Sequence, residues 1–462
     1  MDKKFPQNFL WGNSVSSMQT EGAWNEDGKG MSVYDIKEPG EHKSDWKVAI
    51  DDYHRYAEDF DLMQDLGMTC YRFQISWSRV QPDGEGAFNE EGIAYYRQII
   101  DELLARGIQP MVCLYHFDMP LALAQKYNGF LSRHVTDAFV KFAKEMIDRF
   151  GDRVKYWLTF NEQNLYQMPG ASTYAGNISE PETESVIYTI AHHVMLAHAQ
   201  VTKYLHDTTD DEIGGMLAYQ EVYPATCQPE DILAARKIDE FFNFNLLDVF
   251  TKGHYSAEVV EFLQDNNISY DWQAGDAELL AATRSDFLPF SYYRSTTVNA
   301  EKINNETSPT YYLAQGGQDN PNLATTEWNW QIDPLGFRDI MDKMYSRYQV
   351  PIFPIENGIG VIEEWDGQNE IADDYRIQYH QAHLQAMADA MFIDGVPILG
   401  YLGWGLIDIL SSQGDMRKRY GVVYVNRTNH DLRDLRRVPK KSYHWFQNVI
   451  KTNGESLVQE GK

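Results

Sequence analysis

The chain has little cysteine, a shortage of positive charge and no long apolar run, and each shortage removes a class of protein. Its three cysteines, Cys70, Cys113 and Cys227, are odd in number, far apart and free of Cys-x-x-Cys spacing. They read as buried thiols in a reducing compartment, which excludes a disulfide framework. Lys and Arg number 40 against 68 Asp and Glu, a net charge of -28. Such a surface repels a nucleic-acid backbone or an anionic membrane over most of its area. No stretch approaches the roughly 20 apolar residues of a spanning helix. The opening Met1-Asp2-Lys3-Lys4-Phe5-Pro6 has charge but no apolar core, so no secretory leader is read there and a cytoplasmic location is expected. There is no internal repeat or low-complexity segment, and no Gly-rich phosphate loop follows the first apolar run, which counts against a dinucleotide-binding fold.

What remains is a globular chain of 462 residues, 43% hydrophobic and 13% aromatic. Apolar runs that end in polar residues alternate with segments of helical period. The runs are Phe9 to Asn13, Thr69 to Trp77, Gln109 to Phe117, Val154 to Phe160, Gly214 to Tyr223, Asp286 to Tyr293, Val350 to Glu356 and Val396 to Trp404. Between them, helical period covers 51–66, 89–105, 132–150, 192–205, 230–250, 334–348 and 373–392, with a last helix near 442–450. From about 298 to 331 the composition turns polar and predicts a long loop. Eight such alternations predict one α/β domain over residues 1–462, a (β/α)8 TIM barrel with extended βα loops. In that barrel His116, Glu162, Tyr293, Glu356 and Trp404, all at strand ends, share one mouth.

Two of those strand ends carry the same pair of residues, Asn161-Glu162 and Glu356-Asn357. Two facing carboxylates suffice to hydrolyse a glycosidic bond: one protonates the leaving oxygen, and the other attacks the anomeric carbon or activates water. The neighbouring amides can bind sugar hydroxyls without altering the local charge.

The motifs around them, "TFNE" at Thr159 to Glu162 and "IENG" at Ile355 to Gly358, resemble those of glycoside hydrolase family 1, the β-glucosidase family. The likeness runs nearly end to end, through "FLWG", "QTEG" at Gln19 to Gly22, "YRFQISWSR" at Tyr71 to Arg79, "YHFDMP" at Tyr115 to Pro120, "SYY" at Ser291 to Tyr293 and "WGLID" at Trp404 to Asp408. The resemblance implies a retaining double displacement. Glu356 is then the nucleophile and Glu162 first the acid and then the base, with carboxyls about 5 Å apart. For Glu162 to start protonated, its pKa must lie above that of Glu356. By the same resemblance Arg72 and Tyr293 orient Glu356. Gln19, His116 and Asn161 bind glycone hydroxyls, and Trp330 and Trp404 offer flat apolar faces. No metal or cofactor is implied. A silent sugar-binding scaffold is expected to lose one carboxylate, and a thioglucosidase the acid at Glu162; this chain keeps both.

Family members that take plain glucose usually carry a Glu-Trp pair shortly after the eighth strand. Here Asp408 is followed by Ile409-Leu410-Ser411-Ser412-Gln413-Gly414-Asp415-Met416-Arg417-Lys418-Arg419-Tyr420, with no such pair. Ser, then Lys-x-Tyr, is similar to the phosphate-binding signature of the family's 6-phospho-glycosidase branch and maps onto Ser411 or Ser412, Lys418 and Tyr420. Ser291 and Phe117 also resemble that branch. The 6-phospho-β-galactosidases place Trp at the position of Ser412, so a 6-phospho-β-glucoside is the expected partner. The unphosphorylated glucoside and the galacto epimer are the alternatives. The aglycone and the oligomeric state, a homo-oligomer included, are left open.

Overall fold

The computed structural model describes residues 4–304 and 306–459. Eight parallel strands close on themselves: β1 (Leu10–Ser14), β2 (Cys70–Gln74), β3 (Gln109–Cys113), β4 (Tyr156–Leu158), β5 (Glu212–Gly214 continuing as Leu217–Ala218), β6 (Leu288–Tyr292), β7 (Ile352–Asn357) and β8 (Gly400–Trp404). Six pair in the order β8-β1-β2-β3-β4-β5, and β7-β6-β5 pair in a second set. The two halves of β5 join the sets, since Glu212–Gly214 pairs with β4 and Leu217–Ala218 with β6. A parallel bridge from Ile352 to Ile398, just before β8, closes the circle. This is the (β/α)8 barrel that the alternation predicts.

The strands are buried on both faces, which explains why they read as apolar runs without a clean alternation. Inward side chains from six of them, Cys70, Met111, Cys113, Leu158, Met216, Phe353, Ile355 and Leu402 among them, fill the barrel as a packed cluster. Gly12 on β1 is there for lack of room: a Cβ would lie 1.7 Å from the Cys70 carbonyl oxygen. Outside stand the helices α1 (Asp52–Leu66), α2 (Glu90–Ala105), α3 (Arg133–Phe150), α4 (Glu184–Thr208), α5 (Asn245–Lys252), α6 (Pro334–Tyr348), α7 (Asp374–Phe392) and α8 (Lys441–Lys451). Asn89, Ser132, Thr183 and Asp333 cap four of them by accepting from the first turn.

One thiol and three segments depart from the sequence reading. Cys70 and Cys113 are buried as expected, but Cys227 is exposed, in the bend before Pro229–Asp239. The run from Gly214 to Tyr223 is not one strand. The chain changes neighbours at Gly215, where Phe250 leaves 2.3 Å for a Cβ, and Val222–Pro224 pairs outside the barrel with Thr296–Val298. The helical stretch 230–250 is interrupted by a π turn at Glu240–Phe244. The polar segment 298–331 is not a bare loop: Gly317–Gln318 pairs antiparallel with Thr297 and Val298, and Tyr312–Gly316 is helical.

Candidate active site

At the C-terminal end of the barrel the strands give way to irregular backbone, and the side chains of interest sit on the strands near that end or just beyond them. Cys70 on β2 points into the barrel, so Arg72, two residues on, does the same one layer higher. Its guanidinium is fully buried. It donates to Glu356 Oε1 at 2.6 Å, to Ser14 Oγ at 3.1 Å and to Asn161 Oδ1 at 2.7 Å, with Met216 Sδ at 3.7 Å. Glu356, 3% exposed near the end of β7, receives a second donor on its other oxygen, Tyr293 OH at 3.0 Å. Glu356 pairs in register with Ser291 on β6, and the Ser291 hydroxyl donates to Glu162 Oε1. One ladder position thus links the two carboxyls.

Glu162 is reached by a backbone in the left-handed region, φ 42 and ψ 61, a costly conformation for a residue with a side chain. Phe117, beside His116, has φ 73. Asn161, between β4 and Glu162, donates its backbone N–H to the Tyr115 carbonyl at 2.8 Å. Its side-chain Nδ2 is buried without a partner. His116 stacks on Trp404 at 5.7 Å, and its Nδ1 is likewise unpartnered. Burial and the Arg72 charge hold His116 well below its ordinary pKa, so its ring is neutral. The Gln19 amide is largely committed, accepting from Ser16 Oγ at 2.6 Å and donating to the Leu410 carbonyl at 2.6 Å.

Burial pushes the Glu356 carboxyl up to about 8, the Glu162 charge adds to this, and Arg72 and Tyr293 oppose it. Glu162 is raised as well, by burial first, with Ser291 and Arg72 opposing. Burial raises both carboxyls and so does not by itself set the order that acid catalysis by Glu162 requires. The hydrogen bonds favour it: both oxygens of Glu356 accept from donors, one of them a guanidinium that stabilises the ionised form, whereas Oε2 of Glu162 has no partner among the described residues.

The rim beyond Tyr293 is built differently. Lys418–Arg419 forms a two-residue ribbon with Val361–Ile362, so successive side chains point to opposite sides. Arg419 turns inward to Asp408 at 3.2 Å and to two carbonyls, and Arg417 pairs with Asp415 at 2.7 Å. Lys418 lies between them and points the other way, its stem over Gly360, where a Cβ would come within 2.6 Å of Lys418 Cγ. It is 8% exposed and has no hydrogen bond or ion pair among the described residues. Its Nζ meets only rings: Trp330 at 3.5 Å, Trp328 at 5.0 Å and Tyr420 at 5.5 Å. Burial, with Arg294 adding to it, lowers Lys418 to about 8. Tyr293 bridges floor and rim, 5.7 Å from Trp330 and 6.2 Å from Tyr420 between ring centres. The Tyr420 hydroxyl has no partner among the described residues. The two serines separate cleanly. Ser411 is buried and its Oγ holds the turn by accepting from Asp415 N at 3.0 Å, while Ser412 is exposed and its hydroxyl has no partner among the described residues. Arg294 belongs to this rim and no sequence motif marked it; only its place after Tyr293 hinted at it.

A parallel barrel whose mouth holds two coupled carboxyls, one bound by an arginine and a tyrosine and the other open to protonation, is the site of a glycosidase. Comparison with known proteins makes the class specific. The chain belongs to glycosyl hydrolase family 1, whose model matches residues 1–455. It is 40% identical to the aryl-phospho-beta-D-glucosidase BglC of Bacillus subtilis, covering 98% of this chain and 99% of that protein. It is 39% identical to the 6-phospho-beta-glucosidase AscB of Escherichia coli at the same coverage. Among solved structures it resembles the family 1 β-glucosidase of Thermotoga maritima, with TM-score 0.85, 32% identity and 98% of each chain covered. Among the described residues no helix is long and apolar enough to cross a membrane.

Proposed function

We propose that this glycosidase hydrolyses 6-phospho-β-D-glucosides with retention, within one catalytic domain over residues 1–462. Glu356 attacks the anomeric carbon while Glu162 protonates the departing oxygen. Glu162 then deprotonates the water that releases the sugar. Arg72 and Tyr293 keep Glu356 anionic and aimed. The free Nδ2 of Asn161 and Nδ1 of His116 supply neutral contacts to the glycone, with the remaining N–H of Gln19 beside them, and Trp404 and Trp330 supply the flat faces. Lys418, Tyr420 and Ser412 take the 6-phosphate, and Ser411 shapes their turn.

The observation that carries this reading is Lys418, a buried ammonium in a chain of net charge -28. Among the described residues it has no ion-pair or hydrogen-bond partner and feels only the more distant Asp415, itself paired with Arg417. A buried unpaired cation is costly, and an incoming phosphate removes that cost. The names of the relatives support the same substrate class. Neither Ser412 nor Gln413 is Trp, which favours the gluco epimer whichever serine is counted from. A phosphorylated sugar is made during or after uptake, so the proposed location is the cytoplasm.

Turnover of 4-nitrophenyl β-D-glucoside beside its 6-phosphate tests the proposal. The expected result is a higher specificity constant on the phosphate ester than on the free glucoside or the galactoside 6-phosphate. A higher value on the free glucoside overturns it and leaves a plain β-glucosidase.

A further inference from the structure

Arg294 follows Tyr293 at the end of β6 and is half-buried. Its guanidinium carbon lies 5.5 Å from the centre of the Trp330 ring, and Lys418 Nζ lies 3.5 Å from the same centre. The two cations are therefore within about 9 Å of each other. Arg294, like Lys418, has no hydrogen bond or ion pair among the described residues. The nearby carboxylate that acts on it, Asp319, is occupied by Asn329 at 3.1 and 3.2 Å and by Gln331 at 2.9 Å. Arg417 and Arg419, flanking Lys418 in sequence, are both neutralised by aspartates. Among the described residues, the rim thus leaves without a direct ion pair the two cations that share a tryptophan, while Arg417 and Arg419 are paired. The carboxylates acting on the two, Asp415 and Asp319, are already engaged by other side chains.

A phosphate monoester carries about 1.5 to 2 negative charges near pH 7, more than one ammonium offsets. A guanidinium adds what an ammonium lacks, a planar fork that meets two phosphate oxygens at once. We propose that Arg294 is a specificity-determining residue that binds the 6-phosphate together with Lys418, with Trp330 as the platform that holds both cations at the phosphate end of the site. This rests on the phosphoglucosidase reading above. It adds a second positive charge to a subsite for which the sequence offered only Lys418. Burial keeps Arg294 below its ordinary pKa, in line with a cation that lacks its counter-ion.

The test compares wild type, Arg294→Ala, Arg294→Lys and Lys418→Ala on 4-nitrophenyl β-D-glucoside 6-phosphate, on the unphosphorylated glucoside and on a carboxyphenyl β-D-glucoside. Arg294→Ala is expected to lower the ratio of kcat/KM for phosphorylated over free glucoside at least tenfold, through KM. Arg294→Lys restores part of it. Inorganic phosphate as a competitive inhibitor should lose a similar factor in Ki. Equal losses on phosphorylated and free glucoside mean a structural role and overturn the inference. A loss confined to the carboxyphenyl compound overturns it in favour of an anionic aglycone. If Lys418→Ala abolishes the phosphate preference and Arg294→Ala leaves it intact, this inference alone fails. A wild type without phosphate preference defeats the parent reading too.

Discussion

Arg72 and Lys418 are buried cations of one pocket, and they are held in opposite ways. Arg72 spends its guanidinium on Glu356, Ser14 and Asn161, whereas Lys418 meets three aromatic rings and no acceptor. At the floor the charges are matched within the chain, which on the proposed reading aligns the reacting groups before a sugar arrives. On the same reading the counter-charge at the rim comes with the substrate, so chemistry and choice of substrate should be separable by mutation.

The largest effect should come from the floor. Glu356→Ala is expected to lower kcat at least about 10⁴-fold on every glucoside and to remove the covalent glycosyl-enzyme from mass spectra. Residual turnover within a factor of ten of wild type would mean that the nucleophile is misassigned. Glu162→Gln should cost about 10²- to 10⁴-fold, less where the leaving group departs without a proton, as with nitrophenol. A uniform loss across leaving groups would remove Glu162 as the acid.

The rim should answer differently. Lys418→Ala is expected to cost about 2–4 kcal/mol, about 30- to 900-fold, in kcat/KM for the phosphate ester, most of it in KM. If kcat falls instead, floor and rim are not independent. pH sharpens the same contrast. Burial lowers Lys418 to about 8, so it loses its proton, and with it the attraction for phosphate, earlier than an exposed lysine. The ester itself loses its second charge below about pH 6. KM for the phosphate ester should therefore be lowest between these limits and rise above pH 8; a KM flat to pH 9.5 would contradict the assignment. The smallest expected effects belong to the serines. Ser412→Ala should raise KM for the ester by about 1.5 kcal/mol, roughly tenfold, whereas Ser411→Ala should mainly lower thermal stability, by about 1 kcal/mol.

The barrel was legible because strands buried on both faces cannot avoid being apolar runs, and because helix ends announce themselves through residues such as Ser132 and Gly67. The fifth strand was not, since its break depends on Phe250 crowding Gly215 from a distant helix. Glu162 and Glu356 were visible as strand-terminal carboxyls, but their unequal hydrogen bonding depends on which side chains the closed barrel brings together. Ser411 and Ser412 are chemically identical neighbours, and only the fold tells them apart, burying Ser411 and directing the Asp415 N–H to its oxygen. Arg294 escaped notice because its meaning lies in Trp330 and Lys418, which stand 36 and 124 positions downstream and reach the same spot only through folding.

The left-handed backbone at Glu162 has a consequence for how such a chain can change over generations. Holding a side chain there costs about 1–3 kcal/mol, a strain that glycine relieves and asparagine tolerates well. If Glu162 is the acid, as proposed, a replacement that relaxes this backbone is favourable for folding and ruinous for turnover, so stability and activity pull in opposite directions at this one residue.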